Sequence, residues 1–511
     1  GRAESLADPM GSLSFTGVED HPDTLKTIAA LGFTEPARVS QTIRGWHHGR
    51  IRAMRAERAR ELLTALTPKL LRALAQSGEP DQAFARFATF FSGLVAGVQA
   101  LSLLAAEPQL LKSLAAAFGL APKLAEALAR RPVLLDAMIE PHFSDPLAMD
   151  APGARARELR ERFEQAPGFE NALNAARRFH REEMFRIGMQ VLEGKASAAA
   201  AGAAHADLAE ACVAALAQAA LTETERVSGP APGVFAVLAL GKFGGRELAE
   251  GSDLDLMIVY DAQEGGGDFY TRFTQRLVSA LSAPTEEGLL YDVDMQLRPS
   301  GSAGPVAVRF SSFERYYAQE AWTWELLALT RLRPVAGDAA LSARVRRVRD
   351  AALLRAHDRA AIRADVADMR ARMERERPGG GRWDLKLARG GFVDIEFIAQ
   401  MLQLQAGRAE ALSPNTGEAL ARLAAAGVLD ARLAETLAGA WALFSDLQQM
   451  LRICVAGAFE PKQASAALLA RLAALGRAAD FPALETRLEE AQTTVRAAYD
   501  TLIGPPGDAP R

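Results

Sequence analysis

Residues 234–261, VFAVLALGKFGGRELAEGSDLDLMIVYD, constrain the fold more than any other stretch of the chain. An apolar run from Val234 to Leu240 has the length and composition of a buried strand, and it stops at the glycine-broken turn Gly241-Lys242-Phe243-Gly244-Gly245. A second β-like run then begins with Asp253-Leu254-Asp255-Leu256. Side chains alternate between strand faces, so Asp253 and Asp255 share one face while Leu254, Leu256 and Ile258 take the other. Magnesium is typically held by one or two carboxylates together with water and substrate phosphates, and a paired acidic site can seat two ions about 4 Å apart. Gly244 and Gly245 carry no side chains, so their N–H groups are expected to approach a phosphate, with a helical turn over 246–248 adding its N-terminal dipole.

A third strand is expected over 289–297, LLYDVDMQL, where alternation puts Asp292 and Asp294 on one face. Periodicity alone leaves open which of the two joins the acidic pair. Arg298-Pro299-Ser300-Gly301 closes that strand with a rigid donor fork suited to phosphate or to a structural ion pair. Further on, residues 384–397 read DLKLARGGFVDIEF, in which Lys386 can reach toward a triphosphate. Asp394 and Glu396, two apart on a helix, point to different faces; they do not read as one metal site, and an ionic network suits them as well as a ligand contact.

The pattern Gly-Gly, short spacer, Ser-Asp-x-Asp resembles the signature of the polymerase-β-type nucleotidyltransferase superfamily. The longer strings GKFGGRELAEGSDLDLMIVYD, VDMQLRPSG, AWTWELLALTR and DLKLARGGFVDIEF resemble bacterial glutamine synthetase adenylyltransferases, and the likeness covers nearly the entire chain. The resemblance implies a multidomain α+β protein: a polymerase-β-like domain with a small mixed sheet, flanked by all-helical domains. It implies magnesium, two ions, on Asp253, Asp255 and Asp294, the last favoured over Asp292 by the family pattern. It implies ATP as substrate, in contact with Lys242, Gly244, Gly245, Ser252, Arg298 and Lys386. Gln296 stands where relatives usually carry Arg. Full-length members have two such units, one removing AMP by phosphorolysis and one attaching it; the strings over 280–307 and 321–331 look more like the attaching unit. The implied reaction is AMP transfer from ATP to a tyrosine of glutamine synthetase, with Asp294 as candidate base. The alternatives are the removing unit and a non-catalytic nucleotide-sensing module. Implied partners are glutamine synthetase, the PII signal protein and, as effector, glutamine.

A length of 511 residues suggests about three domains, divided as 1–222 helical, 223–340 nucleotidyltransferase and 341–511 helical. Residues 25–221 are rich in Ala, Leu, Arg and Glu, and Phe84, Phe87 and Phe91 trace a core stripe. Pro68, Pro80, Pro108, Pro122, Pro132, Pro141 and Pro146 should punctuate this region into helices. Residues 227–233 mark a break, and Tyr270, Phe273, Leu277 and Leu281 should pack a helix behind the sheet. A helix over 313–329 carries Trp322 and Trp324, expected in core or inter-domain packing with base stacking as the lesser alternative, and Arg331 and Arg333 at its end are within reach of phosphates. Arg177, Arg178 and Arg181 read as a charged outer face, or alternatively as cations turned to the nucleotide domain.

A net charge of −4 offers no basic footprint for nucleic acid. The distant Cys212 and Cys454 form neither a disulfide framework nor a metal spacing. His47 and His48 diverge on a helix and lack a third ligand at suitable spacing. No uninterrupted apolar run reaches 18 residues and no basic-then-apolar leader is present, so a cytoplasmic protein without membrane contact is expected. The beginning Gly1-Arg2-Ala3, without Met, suggests a piece of a longer polypeptide.

Overall fold

Five short strands form a mixed sheet: β1 (Gly233–Ala239), β2 (Leu254–Ala262), β3 (Val293–Asp294), β4 (Ala307–Arg309) and β5 (Arg333–Gly337). The computed structural model describes residues 13–15, 17, 20–147, 153–165, 167–263 and 265–504. Gly1, Arg2, Ala3 and Glu264, singled out above, lie outside the described residues. β1 runs antiparallel to β2, from Gly233 opposite Ala262 to Ala239 opposite Leu256, and antiparallel to β5 with a register shift between Val237 and Leu238. β3 and β4 both pair with β2 in parallel. β2 is therefore central, and its burial on both faces explains why its sequence is apolar nearly throughout.

The strand expected over 289–297 shrinks to two residues. Beyond Asp294 the chain curls into a turn in which Arg298 donates to the Met295 carbonyl (2.6 Å), and Pro299 withholds a ladder donor. The glycine turn also differs from expectation. Residues Gly241–Gly245 form the helical turn themselves, and Arg246 ends it in the left-handed region at φ 59°, so no helix begins at 246.

Contacts between Cα atoms divide the chain into two units. One comprises 1–146, 185–196 and 450–481 and is helical among its described residues. Its core includes Trp46, Phe84, Phe87 and Phe91; the Trp46 and Phe91 rings are 4.9 Å apart and Phe87 stacks on Phe91 at 5.5 Å. Pro80, Pro108, Pro122 and Pro141 open helices, where a missing N–H costs nothing. Pro68 is a correction: it lies inside the helix Glu57–Ala75 and does not end it. His47 stacks on Phe15 at 6.4 Å.

The second unit comprises 147–184, 197–449 and 482–511 and contains the sheet. The helix Gly266–Ser282 buries Tyr270, Phe273, Leu277 and Leu281, with Phe273 4.4 Å from Phe235 of β1 and Tyr270 stacked 4.7 Å from Tyr260 of β2. The helix Ala198–Ser228 is long and apolar enough to cross a bilayer, yet 61% of its most apolar window is buried against protein. Arg177 is buried, not outward: it donates to the carbonyls of Gly288 (2.8 Å), Ala280 (3.0 Å) and Ala283 (2.6 Å), while Arg178 and Arg181 pair with Glu287. Cys212 and Cys454 are both buried and are not disulfide-bonded.

The helix expected over 313–329 is two, Phe310–Gln319 and Thr323–Leu329. Glu325, Leu326, Leu327 and Leu329 take the buried positions of the second. Trp322 and Trp324 are consequently turned outward, 70% and 38% exposed, contrary to the core packing expected of them.

Candidate active site

A cavity of about 560 Å³ opens at the beginning of β2, with Gly241, Lys242, Asp253, Asp255, Asp294 and Lys386 in its lining. Asp255 and Asp294 are register partners across β2 and β3. Paired residues of adjacent strands project to the same side roughly 4.7–4.9 Å apart, so this pairing selects Asp294 over the exposed Asp292. Asp253 is exposed, whereas Asp255 and Asp294 are half-buried. Burial, then the negative charges of Asp253 and Asp294, push the Asp255 carboxyl up to about 6, against the opposing pull of Lys386 and Arg331. Asp294 is oriented by the Gln296 N–H, which donates to its Oδ1 at 2.7 Å.

The donor set fits magnesium: hard oxygen ligands whose mutual repulsion a cation relieves. Among the described residues no three His, Cys, Asp or Glu side chains are grouped so as to hold a metal by themselves. The arrangement thus suits an ion that brings part of its coordination shell as water and phosphate, which is the habit of magnesium.

The glycine that serves this site is Gly241. Its φ of +52° suits glycine, and a Cβ there would stand 2.0 Å from Asp255 Oδ2. Gly244 and Gly245, the expected phosphate cradle, are buried instead against protein. The Gly244 N–H donates to the Leu240 carbonyl (2.7 Å), and Cβ atoms at the two positions would meet the Arg331 carbonyl at 1.9 Å and the Pro414 carbonyl at 2.9 Å. Their lack of side chains permits this close packing. Ser252 accepts from the Ala249 N–H (3.1 Å) to close a turn. Arg298 spends its guanidinium on the carbonyls of Met295, Ser302 and Gly304. None of Gly244, Gly245, Ser252 and Arg298 lines the cavity, whereas Lys242 and Lys386 do. Lys242 Nζ lies 3.3 Å from Gln448 Oε1 and 5.4 Å from the Phe392 ring centre; Lys386 is exposed.

Arg331 forms the rear wall. It is 5% exposed and stands 3.2 Å from Glu247 and 3.4 Å from Glu396, which itself lines the cavity. Burial opposes its charge, but the two glutamates and Asp255 hold its pKa above the ordinary value. Glu247 is raised by burial in spite of Arg331. Arg333 is engaged with Glu210 at 2.6 Å. Asp394 is fully buried between Arg370, Arg496 (3.4 Å) and the Gly390 N–H (2.6 Å), an ionic network apart from the cavity that Glu396 faces. Sequence reasoning missed Gly241, Glu247, Met369 and Met373, and for Trp324 it placed base stacking behind core packing. Only Gly241, the first glycine after the apolar run, carried a readable signal.

Residues 111–348 match the family model for glutamate-ammonia ligase adenylyltransferase, and residues 360–503 match that for GlnD PII-uridylyltransferase. The chain is similar to proteins named bifunctional glutamine synthetase adenylyltransferase/adenylyl-removing enzyme. It is 48% identical to that of Caulobacter vibrioides, over 98% of this chain and 51% of the relative. To those of Agrobacterium fabrum and Mesorhizobium japonicum it is 42% identical, over 98% of this chain and 52% of each relative. The chain thus spans about half the length of these curated relatives.

Proposed function

From the premise that residues 111–348 belong to the glutamate-ammonia ligase adenylyltransferase family, we propose that this chain attaches AMP from ATP to a tyrosine hydroxyl of glutamine synthetase and releases pyrophosphate. One observation carries the reading: Asp253, Asp255 and Asp294 line a single cavity together with Lys242 and Lys386. Asp253, Asp255 and Asp294 hold magnesium, which when bound neutralises the phosphates and lowers the pKa of a nearby hydroxyl. Lys242 and Lys386 bind the triphosphate as point charges. The tyrosine oxygen bonds to the α-phosphorus as the bond to the pyrophosphate oxygen breaks, and Asp294 accepts the hydroxyl proton. Free tyrosine ionises near pH 10, so removing that proton is part of the catalytic task. Positioning and electrostatic stabilisation supply the remainder.

The chain is proposed as the attaching half of a longer two-unit protein acting in the cytoplasm, with PII signal protein and glutamine as regulators. Incubation with α-labelled ATP, magnesium and unmodified glutamine synthetase should label the synthetase. Phosphate-dependent release of ADP from AMP-modified synthetase, without labelling in the forward direction, identifies the removing unit instead. Neither activity in a protein that binds ATP identifies a nucleotide sensor.

A further inference from the structure

The lining of the cavity also includes apolar side chains to which the proposed reaction assigns no part. Trp324, 38% exposed, lines it from the short helix Thr323–Leu329. Met369 and Met373 line it from the helix Arg359–Glu376, where a spacing of four residues puts both on one face. An indole that stays partly exposed in a cavity lined also by two soft thioether side chains offers a flat apolar surface.

The surface is held rigidly. Glu325 is buried and accepts both the Tyr316 hydroxyl (2.7 Å) and the Trp322 N–H (2.9 Å), which fixes the start of the helix that carries Trp324. The Thr323 hydroxyl donates to Asp365, one turn before Met369, and so ties that helix to the one bearing the methionines. The tryptophan and the methionines therefore keep their relative position without a ligand.

We infer that Trp324, with Met369 and Met373, forms the slot that receives the purine base of the nucleotide whose phosphates lie at the carboxylates. This inference rests on the proposed reaction. A purine offers a flat π-face to an indole and little to the lysines, while its triphosphate belongs with Lys242, Lys386 and the carboxylates. Trp324 is thus a specificity-determining residue: it separates ATP from a bare polyphosphate.

The test measures equilibrium binding of Mg-ATP and of Mg-tripolyphosphate to the wild-type protein and to Trp324→Ala and Trp324→Phe. Trp324→Ala should weaken ATP about tenfold or more, as lost base stacking does, and leave tripolyphosphate within about twofold. Trp324→Phe, which keeps an aromatic face, should recover most of the ATP affinity. Equal weakening of both ligands, or no weakening of either, overturns the slot. So does a variant that binds ATP normally and is impaired only in its use of the protein acceptor, because Trp324 then contacts that acceptor. Failure of the wild-type protein to bind ATP at all refutes the reaction itself and is seen before any variant is compared.

Discussion

Asp255 and Asp294 stand opposite each other in the register of two parallel strands, so two carboxylates come from segments about 40 residues apart to one wall of a cavity. Their repulsion, added to burial, raises the Asp255 pKa to about 6. The protein therefore sustains an unfavourable charge arrangement that a bound cation relieves.

Replacing Asp255 by Asn should separate stability from activity. The raised folded-state pKa means that the ionised carboxyl destabilises the fold above its unfolded pKa, so at pH 7 without metal Asp255→Asn should be more stable, by about 1–3 kcal/mol. AMP transfer should drop by about 10²–10³-fold. Urea unfolding in EDTA and the labelling assay read the two effects, and undiminished transfer removes Asp255 from the metal site.

The same carboxyl predicts a pH-dependent metal requirement. Magnesium binds the ionised form, so the magnesium concentration for half-maximal activity should be flat above about pH 7. It should rise about tenfold by pH 5, one unit below the Asp255 value of about 6. Magnesium titrations across that range check the slope, and a requirement that stays constant contradicts it.

Gly241→Ala should lower transfer by about 10²–10³-fold while leaving the chain folded. The added methyl group meets Asp255 Oδ2 at 2.0 Å and must move that carboxylate, and the φ of +52° adds local strain. The variant should lose about as much activity as Asp255→Asn, with the far-ultraviolet circular dichroism of the parent. Wild-type turnover in Gly241→Ala would show that the turn and the carboxylate are not coupled.

Arg331→Met should be severely destabilising, by about 3–5 kcal/mol, because it leaves Glu247 and Glu396 without their buried cation. The double variant Arg331→Met/Glu247→Gln should recover part of the loss by removing one orphaned charge. Chemical denaturation of the single and double variants decides; additive losses indicate that the ion cluster is not the cause.

Acid should weaken the unit that contains the sheet through His180 and His205. Burial, chiefly, pushes both down to about 3. Unfolded histidine protonates near 6.5, so the stability tied to the neutral rings is complete above pH 6.5 and is lost as pH falls from there toward 3. At pH 5 the loss is about 2 kcal/mol per histidine. His180→Phe, which keeps the edge contact with Tyr291 (4.6 Å), should flatten the fall between pH 6.5 and 5. An identical slope in the variant assigns the acid lability to other groups.

Much of the arrangement was legible in local sequence. Alternation paired Asp253 with Asp255, and helical periodicity identified the buried face of Gly266–Ser282 and the phenylalanine stripe, because strand and helix periods act over a few residues. The short β-like runs and the long helical segments were legible by themselves, while the small mixed sheet was expected from the family resemblance. What local pattern cannot encode is which non-adjacent surfaces meet. Periodicity left Asp292 and Asp294 open and the family resemblance favoured Asp294; packing sets Asp294 opposite Asp255, makes room at the site with Gly241, and turns Arg298 to its own loop. Tertiary structure likewise turned Trp324 toward a cavity, because the leucines of its short helix claimed the core first. Burial is a property of the assembled chain, and an amino-acid string specifies it only through contacts between residues far apart in sequence.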